Sequence, residues 1–105
     1  MTYPEFWRVY LAAHTDPRTR GLHYLGTGCA VAAFLVAGLE QDWRWLLAAP
    51  VVGYAFAWFG HFVFEKNKPA SFKYPLYSFF ADWVMYGKIL SGTMRAEVER
   101  VLAKS

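Results

Sequence analysis

The sequence predicts an all-α fold: a small integral-membrane helical bundle, with a central antiparallel transmembrane hairpin and short flanking helices, in one domain over residues 1–105. Three observations carry this expectation. Residues 21–39 and 45–64 contain no Lys, Arg, Asp or Glu. Each run reaches the roughly 20 apolar residues a helix needs to cross a hydrocarbon core of about 30 Å. The acidic link between them, Glu40-Gln41-Asp42, is so short that the two helices must run antiparallel. Finally, the chain is 56% hydrophobic, 20% aromatic and only 18% charged, against about 25% charged in an average protein. That balance excludes a disordered chain. With no basic run and no Gly-rich phosphate loop, nucleic acid is not among the expected partners. A lone cysteine, Cys29, excludes a disulfide framework and a Cys-based zinc site. Lying inside an apolar run, it is expected to be buried packing.

The elements follow in order. Pro4 and Glu5 suit a first helical turn, and residues 4–14 read as a short helix with Tyr3, Trp7, Tyr10 and His14 on one face. Asp16-Pro17 ends it and starts the next, with Asp as N-cap and Pro in the first turn. The hairpin helices are then 17–39 and 43–65. The stretch from Lys66 to Ser71 is a break. A third apolar segment, 75–90, is interrupted by Asp82 and Lys88 and is either a short span or an interfacial helix. An amphipathic helix over 93–104 closes the chain, with Met94, Val98, Val101 and Leu102 on one side. Arg8, Arg18 and Arg20 precede the hairpin, and Lys66, Lys68 and Lys73 follow it, so the positive-inside rule places both ends in the cytoplasm. Charges throughout the first 20 residues leave no apolar stretch for a cleaved signal peptide.

The candidate chemistry lies in three histidines, His14, His23 and His61. Counting from the turn, His23 and His61 sit about 24 and 27 Å along their helices, hence at nearly one depth. His14 precedes the Asp16-Pro17 turn at that same edge. Glu65 follows His61 by four residues and is expected on its helix face. Imidazoles with a carboxylate suit Fe(II), Zn or Mn, and an ionisable residue at a membrane edge marks function by default. Asp82 is a candidate acceptor behind a ligand. Tyr24, Tyr54 and Trp58 line a pocket or serve as packing, Ser78 reads as buried packing, and Asn67 and Pro69 shape the loop after Glu65. Two alternatives stay open on these residues alone: a helical membrane scaffold with structural histidines, and a bis-histidine haem carrier.

The pattern YLAAHTDPRTRGLHYLGT, then WFGHFVFEKNKPASFKYP, then FADWVMYGK, spread over about residues 5–90, resembles the small membrane proteins related to the fungal 2-hydroxy fatty acid dioxygenase. Its most specific element is His61-x3-Glu65-x3-Pro69. The resemblance implies an Fe(II)-dependent α-oxidation in which O2 shortens a 2-hydroxy fatty acid by one carbon. It implies non-haem iron held by His14, His23 and His61, with Glu65 joining by its place in the motif. Glu65 and Asp82 are the carboxylates expected to serve catalysis. Arg18, Arg20, Lys66 and Lys68 are expected to attract the substrate carboxylate. The expected partners are the membrane and a fatty acyl substrate, with self-association left open.

Overall fold

A computed structural model describes residues 1–103. The described residues form α1 (Tyr3–Ala12), α2 (Pro17–Glu40), α3 (Arg44–Gly60), α4 (Pro75–Leu90) and α5 (Met94–Ala103), with no strand among them. A single π-helical turn, His61–Glu65, extends α3, and a 3-10 turn, Ala70–Phe72, precedes α4. Of the expected 93–104 helix, Lys104 lies outside the described residues.

Capping explains most boundaries. The Thr2 hydroxyl accepts the Glu5 N–H, and the Asp16 carboxylate accepts the Arg18 N–H at 2.9 Å, each satisfying a donor of a first turn. Helix α1 stops two residues earlier than expected. The Ala13 N–H is already shared with the Tyr10 carbonyl, and the His14 N–H turns to Leu11, so His14 sits just past the helix. Gln41 ends α2 in the left-handed conformation at φ 53°, and the Asp42 N–H returns to the Ala37 carbonyl at 3.1 Å, a helix-terminating arrangement. The Asp42 carboxylate then accepts the Arg44 N–H at 3.0 Å and starts α3.

Two helical stretches are long and apolar enough to cross a membrane, Pro17–Glu40 and Arg44–Glu65. They pair along a seam of small residues. Gly26, Ala30, Ala33 and Ala37 are the inward positions of α2, and Ala49, Ala57 and Gly60 those of α3. The backbones touch where Gly26 meets Gly53: a Cβ on Gly26 would stand 2.8 Å from the Gly53 carbonyl oxygen. Close approach through Gly and Ala is how helices associate when apolar burial between them offers no advantage over lipid. Large residues point away from the seam, and Cys29 goes with them. It is exposed, correcting the expectation of burial. Position 29 lies one turn from Leu25 on the outward face, while the seam takes Gly26 and Ala30.

Against the charged-loop end of this hairpin lies a second unit. Phe6, Tyr10 and Leu11 of α1, Ala81 and Met85 of α4, and Met94 of α5 form one buried cluster. Its aromatic content is high: Phe6 stacks on Tyr77 at 5.2 Å, and Trp7 stacks on Tyr10 at 5.5 Å. The 16-residue α4 is shorter than the ~17–25 residues of a span. It turns Ser78, Ala81 and Met85 inward and Leu76, Phe79 and Phe80 outward.

Candidate metal centre

The two units meet at the histidines. His14 arrives in the turn after α1, His23 on the first third of α2, and His61 on the π turn after α3. All three are buried. Their Nε2 atoms face one another, with 3.1 Å from His14 to His23 and 3.3 Å from His23 to His61. One ligand nitrogen from each lies within 4.8 Å of the other two. Nitrogens held about 2.1 Å from one ion stand about 3.0 Å apart at a right angle and about 3.4 Å apart at the tetrahedral angle. These two separations fall in that interval and the third is within 4.8 Å, so the three residues could hold a metal ion.

What lies behind each ring decides its tautomer. The Nδ1–H of His14 donates to the Tyr10 carbonyl at 2.6 Å. His61 Nδ1 stands 2.8 Å from the Asn67 side-chain oxygen, and His23 Nδ1 faces Asp82 at 3.7 Å. A proton on Nδ1 leaves Nε2 bare, which is the ligating form. The bare Nε2 atoms of His14 and His61 are turned toward His23 Nε2, an arrangement that a cation between the three would satisfy. Burial, and next the neighbouring imidazoles, hold His14 well below its ordinary pKa, so its ring is neutral at pH 7. Behind the cluster, the Tyr10 hydroxyl donates to Asp82 at 2.5 Å, and the Tyr10 ring stacks on His14 with centroids 4.0 Å apart. Burial pushes Asp82 up to about 7, the Tyr10 hydrogen bond opposing it, and burial also raises Tyr10.

Glu65 departs from the expectation. One of its oxygens accepts the Asp16 N–H at 2.6 Å, and the other the Thr15 hydroxyl at 3.3 Å. Its carboxylate is therefore spent on the α1–α2 turn and lies outside the three-histidine group. The cause is local. The chain from His61 to Glu65 winds as a π turn closed by the Lys66 N–H on the His61 carbonyl, with Lys66 at φ 56°, so the i, i+4 alignment of an α-helix does not apply. Arg20 differs as well: it is buried and donates to the His14 and Thr15 carbonyls at 2.7 and 3.0 Å, which fixes the His14 turn. Arg18 pairs with Asp16 at 2.8 Å and covers the Phe64 ring at 4.2 Å. Lys66 and Lys68 are exposed at the rim. Tyr54 and Trp58 border the cavity at the histidines, whereas Tyr24 stacks on Tyr86 at 5.4 Å.

Two participants escaped the sequence reading. Asn67 orients His61 and also donates to the Ala13 carbonyl at 3.4 Å. Tyr10 presents both its carbonyl and its hydroxyl to the site. Its place on the His14 face of α1 was the available signal. The space at the histidines is about 10 Å3, roughly one water-sized sphere. With nitrogens 3.1 and 3.3 Å apart, no porphyrin plane fits between His14 and His23 or between His23 and His61.

The family described as 2-hydroxy-palmitic acid dioxygenase Mpo1-like matches residues 1–94. The chain belongs to this family. No curated protein and no solved structure is matched. The Mpo1-like match takes in all three histidines, Asn67 and Asp82, so the whole centre described above lies inside the family's span.

Proposed function

We propose that this Mpo1-like chain is an Fe(II)-dependent dioxygenase that shortens 2-hydroxy fatty acids by one carbon at the cytoplasmic edge of a membrane. The observation that carries the reading is the convergence of three buried imidazoles, His14 and His61 each with Nδ1 on a hydrogen-bond acceptor and His23 with Nδ1 3.7 Å from Asp82. The donor set is three neutral imidazoles, which suit iron as well as other first-row ions. The family description supports dioxygen chemistry on a 2-hydroxy acid. Bound there, Fe(II) supplies activation of O2 and a chelating position for the hydroxyl and carboxylate of the substrate. The chain's own groups do the rest. Tyr10 and Asn67 hold His14 and His61 in the ligating tautomer, and Asp82 lies behind His23. Glu65 and Arg20 lock the turn that delivers His14. Lys66 and Lys68 give the rim the positive charge that draws a carboxylate, and the same charge favours a cytoplasmic position for both hairpin ends.

Membrane insertion of α2 and α3 rests on their length and on what they expose. Only 17% and 22% of their apolar windows is buried within the protein, far less than a soluble core helix requires. Insertion puts the histidine layer near one face, where an amphiphile meets it without its tail entering water.

The test is anaerobic loading with Fe(II), a metal count, and O2 uptake with a 2-hydroxy fatty acid, following the acid one carbon shorter. One iron per chain and turnover are expected. His61→Ala should lose both while still fractionating with membranes. Iron-loaded protein that consumes no oxygen across several acyl lengths rejects the activity. An unchanged iron content in His61→Ala rejects the site.

A further inference from the structure

Beside the histidines a second, much larger space opens between α2, α3 and α4, about 320 Å3 in volume. It shares His23, Tyr54, Ala57 and Asp82 with the small cavity at the cluster. The two spaces therefore adjoin along a shared wall, and together they make a hollow with a polar end and an apolar end. We infer that this hollow binds a single unbranched acyl chain, its tail in the groove and its acidic head against the Ser78 hydroxyl, so that the groove sets the accepted chain length. The identity of the head group rests on the dioxygenase reading; the seat of the tail does not.

Length supports the assignment. On α2 the groove runs from His23 to Phe34, eleven residues or about 17 Å of helix. That is roughly half of a ~30 Å hydrocarbon core, the depth one leaflet's acyl chain occupies. The walls match in chemistry. Ala30, Ala49 and Gly53 form a smooth floor, Trp83 of α4 a side wall, and Phe34 and Leu46 the far end. Phe34 and Leu46 are exposed on the outer surface of the hairpin, so the groove opens sideways and a chain enters from the bilayer. At the other end, Ser78 borders the histidine cavity. Its Oγ is buried and has no hydrogen-bond partner. A buried hydroxyl left unsatisfied calls for an explanation, and a single carboxylate oxygen of an acid's head, the size of the one water that space admits, supplies the acceptor it lacks.

Gly53 is the sensitive point. A Cβ there meets only ordinary contacts, 3.7 Å to the Gly26 carbonyl oxygen and 4.0 Å to the Ala30 Cβ. A larger side chain at that position fills the groove midway instead of wedging the helices apart.

The experiment needs no turnover. The full chain in lipid nanodiscs is exposed to hexadecanoic acid carrying a terminal diazirine, irradiated, and its labelled residues mapped. Label should concentrate on Phe34 and Leu46 and be displaced by unlabelled hexadecanoic acid. Gly53→Leu should reduce it by at least about tenfold, several methylenes losing their apolar seat. Ser78→Ala should weaken it about three- to tenfold without moving it, the loss of one hydrogen bond. Undisplaced label spread over the outward residues Leu35, Leu39 and Val51 overturns the groove. In iron-loaded protein, Gly53→Leu should shift preference to shorter acids and Phe34→Ala, at the exposed end where folding is not at stake, to longer ones. Specific labelling in a protein that consumes no oxygen upholds the groove and removes the dioxygenase. Turnover whose length profile ignores both variants keeps the dioxygenase and overturns the groove.

Discussion

The hairpin and the α1–α4–α5 unit are built on opposite rules. In the hairpin the buried apolar residues are the smallest, Ala30, Ala33, Ala37 and Ala49, and large apolar side chains such as Leu39, 85% exposed, face outward. In the other unit the buried residues are among the largest, Phe6, Tyr10, Leu11 and Met85, while α1 and α5 turn Glu5, Arg8, Arg95 and Glu99 outward. On the membrane insertion proposed above, the difference follows from the surrounding medium. Water drives large apolar groups inward, whereas lipid is indifferent to them and leaves close backbone packing to hold helices together. Helix α4 belongs to both, with Met85 in the aromatic cluster and Leu76 and Phe80 exposed.

Variants can break this contrast, and the largest effect is expected in the aromatic unit. Phe6→Ala removes a fully buried ring and should cost about 3–5 kcal/mol, read as a fall in thermal midpoint in detergent. Metal acts on both units at once, since His14 belongs to one and His23 and His61 to the other. Adding Fe(II) or Zn at a hundredfold above its Kd should stabilise the fold by about 2.7 kcal/mol, and His14→Ala should lose most of that gain. Gly26→Ala places a methyl against the Gly53 carbonyl oxygen and should cost about 1–3 kcal/mol through overpacking. The same midpoint measurement applies, and a neutral result would mean the helices do not meet there. Leu39→Ala removes the same apolar volume as Leu11→Ala would in the core, yet it should change stability by less than about 0.5 kcal/mol. A large loss at Leu39 would show that something packs on that face and would end the contrast.

Much of this was legible beforehand, for reasons that also explain what was not. Uncharged runs and a three-residue link specify a hairpin without reference to tertiary contacts. Helical rise places His23 and His61 at one depth, because distance along a helix is local arithmetic. Orientation around the helix was harder. Cys29 was misplaced because both faces of α2 are apolar, so hydropathy carries no inward direction there. Residue size does, and the spacing of Gly26, Ala30, Ala33 and Ala37 was the unused signal. Glu65 was misread because a π turn leaves no periodic trace in five residues. The hydrogen bonds of Asn67 and Tyr10 depend on which loop lands beside which helix, and a single sequence does not state that.

The placement of His14 sets a sequence of events in time. It is nine residues from His23, and His23 is 38 residues from His61. Domains begin folding from the N-terminus during synthesis at about 5–20 residues per second, so the first ligand made waits longest for the last. No ion can be held by all three until α3 is complete and has returned beside α2. Even then α1 must dock, with Arg20 and Glu65 closing the turn that carries His14. Capture of a metal by these three residues would thus be the closing act of biogenesis. A chain truncated before the π turn, or unable to dock α1, stays metal-poor and, on the proposed chemistry, unable to activate oxygen beside oxidisable lipid.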